Sequence, residues 1–166
     1  IEESALRGCE KLESVTLPTN ISIIGKSAFE RCKALSSIVL PKKVKIIESS
    51  TFAGCASLKE IILPSNLTRI KANAFAQCIS LTRIHLPETL ERISEKAFAG
   101  CEKLETIDIP INLRRIEKNV FDNCPNLNED SQLGIKRALA QIKARLKAAK
   151  GNDKILEDVI LDYIDV

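Results

Sequence analysis

Six cysteines stand at Cys9, Cys32, Cys55, Cys78, Cys101 and Cys124, each 23 residues after the one before. No other feature narrows the fold so far, because a fixed period marks an internal repeat. Disulfide frameworks are spaced irregularly, so this regularity argues against three paired bridges. Other residue types keep the same step: Pro18, Pro41, Pro64, Pro87 and Pro110; Phe29, Phe52, Phe75, Phe98 and Phe121. Isoleucine recurs from Ile1 through Ile24, Ile47, Ile70 and Ile93 to Ile116, and leucine from Leu12 to Leu127. Five full units run from Cys9 to Cys124, with partial units at both ends.

One unit can be folded from its own residues. In the stretch from Leu58 to Leu63, Ile61 and Leu63 share one face and Glu60 and Ile62 the other, which is strand periodicity. Pro64 ends the strand because it has no N–H for the ladder. After a polar pair, Leu67 and Ile70 turn back inward. Asn73 then precedes Phe75, and Ser27, Ser50, Lys96 and Asn119 hold the equivalent place. Four of these five can cap a short helical turn, with Phe75 filling the middle of the coil. A single unit cannot bury this much apolar surface. Stacked units can, with one strand per rung about 4.8 Å apart.

The pattern resembles the leucine-rich repeat, and within it the Treponema-type (BspA-like) class, through Leu58, Ile61, Leu63, Pro64, Leu67, Ile70, Phe75, Cys78 and their copies. The resemblance covers residues 1–127. Glu48, Lys71, Ser94 and Glu117 depart from it where this class often has the glycine seen at Gly25. It implies an α/β repeat solenoid: a right-handed leucine-rich-repeat coil with a parallel concave β-sheet. Asp130 replaces the strand residue expected in a sixth unit, so the strand series is expected to end at residue 109. The resemblance further implies non-catalytic binding of a macromolecular partner, as in cell-surface adhesion or host interaction, and a bacterial or protist surface or secreted protein.

Equivalent side chains on stacked rungs point the same way. The cysteines are therefore expected to form a buried ladder of free thiols, since a disulfide needs converging Cβ vectors and zinc needs ligands around one point. Free thiols fit a reducing compartment, so an intracellular scaffold or effector fragment is the alternative reading. Two exposed columns follow from the strand alternation. One is Thr16, Val39, Ile62, His85 and Asp108, and the other Ser14, Ser37, Glu60, Arg83 and Thr106. Val39 and Ile62 form an apolar centre within a mixed-charge rim, the composition of a protein interface. The expected partner-binding residues are Ser37, Val39, Glu60, Ile62, Arg83, His85, Thr106 and Asp108. A second line, Ile23, Ile46, Arg69, Arg92 and Arg115 with Arg114 beside it, makes a basic stripe, with Lys42, Lys43 and Lys45 nearby. An acidic glycan is a second candidate ligand there.

The charge balance of +3 does not demand nucleic acid, and no aromatics interleave with the stripe for base stacking. No apolar run is long enough to span a bilayer. The only histidine, His85, has no neighbouring serine in its column, so the sequence offers no catalytic constellation, metal-ligand spacing or phosphate-cradling loop, and no cofactor is expected. Asn20-Ile-Ser22 and Asn66-Leu-Thr68 match the glycosylation triplet, a weak three-residue signal. With no Met at all, the chain reads as a processed product or an excised fragment. Residues 128–166 lose the period and are expected to form a helical hairpin that caps the solenoid, or serves as an interaction or oligomerisation module. Its first helix is read from a Ser131 cap to about Ala149, with Ile135, Leu139, Ile142 and Leu146 on one face. Gly151 and Asn152 stop it, and Asp153 starts the second.

Overall fold

The computed structural model describes residues 1–149. Each of four successive rungs carries two short strands: β1 (Ser37–Val39) and β2 (Ile46–Ile47), β3 (Glu60–Ile62) and β4 (Arg69–Ile70), β5 (Arg83–His85) and β6 (Arg92–Ile93), β7 (Thr106–Asp108) and β8 (Arg115–Ile116). All pairings are parallel and join residues one repeat apart. The first strand of each rung builds one column, in which β1 pairs with β3 and β5 with β7, and β3 lies beside β5. The second strand builds a four-stranded sheet in the order β2-β4-β6-β8.

The expectation of one strand per rung is thus corrected to two. After each proline the chain turns and extends again for two residues, an outward residue followed by an inward isoleucine. Ile47, Ile70, Ile93 and Ile116 are all buried there. Two residues are too few for an alternation that sequence reading can recognise.

The rest of each rung is a turn without helix, and here too the expectation is corrected. Ser27, Ser50, Asn73, Lys96 and Asn119 are not caps. They adopt left-handed backbone, with φ between 55° and 57°. Four residues later the chain does so again, at Arg31, Gly54, Gln77, Gly100 and Asn123. Such conformations cost on the order of 1–3 kcal/mol per non-glycine residue. The compensation is a third hydrogen-bonded column. The N–H groups of Ser50, Phe52 and Gly54 donate to the carbonyls of Ala72, Ala74 and Ala76 on the next rung at 3.0, 2.9 and 2.8 Å. The intervening N–H groups of Thr51 and Ala53 bond back within the turn, to Glu48 O and Ser50 O.

The core is the interior of the coil. Phe29, Phe52, Phe75 and Phe98 are completely buried and stack ring on ring, with centroids 5.2–5.5 Å apart and planes within 7°. Phe121 continues the stack at 5.8 Å but is only half-buried. The cysteines are all free, as expected of parallel side chains. Burial follows position in the stack: Cys32, Cys55, Cys78 and Cys101 are buried, whereas Cys124 is half-buried and Cys9 exposed, correcting the expectation of six buried thiols. Each thiol from Cys32 onward donates to a carbonyl one rung back, as Cys78 Sγ does to Phe52 O at 3.2 Å. Burial pushes the Cys55 thiol up to about 12 and that of Cys124 to about 11, and raises those of Cys32, Cys78 and Cys101.

One helix follows the strands, α1 (Glu129–Ala148). Its N-cap is Asn128, whose side chain accepts the Ser131 N–H at 2.9 Å, so the expected Ser131 cap is corrected. Ser131 instead lies inside the first turn, buried. Its hydroxyl accepts the Ile107 N–H at 3.0 Å and donates to Glu105 O at 3.3 Å. Ile135, Ala138 and Ile142 bury the face turned to the last rung. Farther along, the Arg145 guanidinium donates to the carbonyls of Leu113 and Ile111. Acidic Glu129 and Asp130 at the start and basic Arg145 and Lys147 at the end suit the helix dipole. The expected second helix of the hairpin, from Asp153, lies outside the described residues.

Candidate binding surface

In each first-column strand the middle residue is buried and its two neighbours are exposed. Alternation therefore brings Ser37, Glu60, Arg83 and Thr106 into one outward line and Val39, Ile62, His85 and Asp108 into another. All eight sequence-predicted residues lie on this face, and Ser14 and Thr16 are exposed on the rung before. Register fixes the neighbours: Ser37 with Glu60, Val39 with Ile62, Arg83 with Thr106 and His85 with Asp108.

Val39 and Ile62 stay 59% and 52% exposed although they are large and apolar. Glu60 and Arg83 sit on adjacent rungs without making an ion pair with each other or with any other described residue. His85 Nδ1 lies 3.5 Å from Asp108 Oδ2, and both side chains are open to solvent. General acid–base work needs a positioned proton acceptor beside a reacting group in a sheltered site. This pair is not sheltered. Among the described residues no cluster of His, Cys, Asp and Glu could hold a metal, and no helix is long and apolar enough to cross a membrane.

The basic stripe also falls on one face, that of the second column. Ile46, Arg69, Arg92 and Arg115 are cross-strand partners in succession. Arg114 reaches Glu91 at 3.9 Å, and Arg115 reaches Glu117 at 3.3 Å. Beside this column a groove of about 810 Å³ runs under α1, lined by Thr68, Thr89, Asn112, Arg114, Ile142 and Arg145 among others. The sequence reading missed this groove, and it missed the exposed Ile111, 62% open to solvent. A signal was available: the residue after the repeat proline is polar at Thr19, Lys42, Ser65 and Glu88, and apolar only at Ile111.

These features define a class, a repeat solenoid of stacked parallel rungs that presents an open sheet face and holds its core in the coil interior. Within that class the chain belongs to the BspA type leucine-rich repeat family, whose model matches six copies over residues 1–128. Leucine-rich repeats are generally protein-interaction modules and generally non-catalytic. Solved structures agree. A leucine-rich repeat protein from Bacteroides ovatus is 36% identical with a TM-score of 0.71, over 76% of this chain and 33% of that one. The T. pallidum leucine-rich repeat protein is 32% identical with a TM-score of 0.63, over 67% of this chain and 54% of that one. A leucine-rich cell surface protein from Faecalibacterium prausnitzii is 26% identical with a TM-score of 0.58, over 75% of this chain and 42% of that one. No curated protein matches the chain. The chain spans about a third to a half of the length of the first two solved relatives.

Proposed function

We propose that this chain is a non-catalytic recognition module that holds a protein partner on the outward face of its first strand column, in a cell-surface adhesion or host-interaction role. The observation that carries the reading is the register pair Val39 and Ile62, two large apolar side chains left more than half exposed side by side. Removing such apolar surface from water favours association by about 25 cal/mol for each Å² buried. Glu60 and Arg83, without an ion-pair partner among the described residues, supply charges of both signs for orientation. Ser37, His85, Thr106 and Asp108 complete a polar rim. The cell-surface setting draws on the F. prausnitzii relative, described as a cell surface protein.

A second reading, an intracellular scaffold or effector fragment, draws on the six free cysteines. Fractionation of the native full-length protein separates the two settings. The binding site itself is tested by affinity capture with the parent and with Ile62→Asp. Capture by the parent alone supports the first-column face, and equal capture by both sinks it.

A further inference from the structure

We propose that the second-column face is a separate site, a track for an acidic polysaccharide held by Arg69, Arg92 and Arg115, with Lys45 in the neighbouring line beside Thr68. Three arginines stand directly opposite one another on consecutive parallel strands. Like charges in that position destabilise a sheet. The repeat does not require them, because the same column carries Ile23 and Ile46 on earlier rungs. Nor does the fold neutralise them fully. Arg115 has Glu117 at 3.3 Å, whereas Lys45, Arg69 and Arg92 have no carboxylate partner among the described residues. A line of guanidinium forks one strand spacing apart, about 4.8 Å, suits a linear chain bearing an anionic group on its sugar rings. Each fork can hold a carboxylate or sulfate through two parallel hydrogen bonds.

The adjoining groove favours sugar over other polyanions. Its wall is built by the residues that precede the arginines, Thr68, Glu91 and Arg114, together with Glu88, Thr89 and Asn112. Hydroxyl, amide and carboxylate groups there match the hydroxyls of a glycan, and Ile142 and Leu146 give an apolar floor for ring C–H faces. Single-stranded nucleic acid wants aromatic platforms. Four of the five phenylalanines are completely buried and Phe121 lies inside the coil's stack, so none serves this face.

The test titrates the whole chain at low ionic strength with a sulfated heparin-type octasaccharide. The parent is compared with Arg69→Gln/Arg92→Gln and with Lys136→Gln/Arg137→Gln, which removes equal charge from the exposed face of α1. Urea denaturation checks that each variant is folded, and Arg92→Gln alone serves if the double variant is not. The proposal expects about tenfold weaker binding per stripe arginine removed, a shallower salt dependence, and no more than a twofold change in the helix variant. Ile62→Asp should bind the octasaccharide like the parent. Absent binding by the parent, equal losses in the stripe and helix variants, or unchanged binding by Arg69→Gln/Arg92→Gln would each overturn it. So would oligo(dT) or phosphatidylserine vesicles binding as tightly and losing affinity in the same variant, since the face would then read charge without sugar.

Discussion

Replacing Phe75 with alanine tests the stacked core at its centre. The ring is completely buried, with its centroid 5.5 Å from that of Phe52 and 5.2 Å from that of Phe98. Truncating a buried phenylalanine costs about 3–5 kcal/mol, depending on how far the site collapses. Collapse is hindered here, because the rungs above and below are held by the third hydrogen-bonded column, including Phe75 N–H to Ala97 O at 2.8 Å. Two ring contacts are also lost, each about 0.5–1.5 kcal/mol. The expected cost therefore lies at the upper end of the range, about 5 kcal/mol. Phe121→Ala is the internal control: half-buried, with one ring neighbour at 5.8 Å, it should cost less than half as much. Urea denaturation followed by circular dichroism gives both values. Because repeat arrays can lose cooperativity, the slope of each transition must match the parent's before the free energies are compared. A Phe75→Ala cost under about 1 kcal/mol, or equal costs at the two sites, would refute the argument.

Other consequences are equally direct. Thiol titration of the native chain should find Cys9 reacting quickly, Cys124 slowly, and the four buried thiols only after denaturation. Because folding raises the Cys55 thiol from its ordinary 9.0 to about 12, the unfolded chain ionises first as pH rises. Stability is then full below pH 9 and falls toward pH 12, by at most about 1.4 kcal/mol per pH unit for each such thiol. Cys55→Ala should flatten that alkaline slope, and an unchanged slope would remove the thiol from the explanation. Ser131→Ala leaves the buried Ile107 N–H without its acceptor and should cost about 1–3 kcal/mol. An unchanged denaturation midpoint would show that α1 does not hold the last rung in this way.

The first column was legible because three-residue strands around Ile38, Ile61, Ile84 and Ile107 keep strict alternation, and the repeat multiplies a weak local signal five times. The same multiplication placed the arginine stripe on one face before any strand was assigned to it. What escaped was conformation that residue type does not encode. Ser27, Lys96 and Asn119 share one left-handed backbone state despite unlike side chains, because the hydrogen bonds to the neighbouring rung impose it. Position along the array escaped as well. Cys9 and Cys55 obey one pattern, yet Cys9 is exposed and Cys55 buried among the described residues, because burial comes from the neighbouring rungs and not from the residue's own type. Ser131 shows the same limit. Its type favours a cap, but the carbonyl and amide of the last strand compete for its hydroxyl and win.

The claim that the first-column face is the recognition surface is tested most directly by site-specific crosslinking. A benzophenone side chain replaces Val39 in one preparation and Ile23 in another. Ile23 is 70% exposed and belongs to the second-column line, so the two probes are similarly accessible on different faces. With a captured protein partner present, the account predicts a covalent adduct from position 39 and none from position 23. Adducts from position 23 alone, or equally from both, would contradict it.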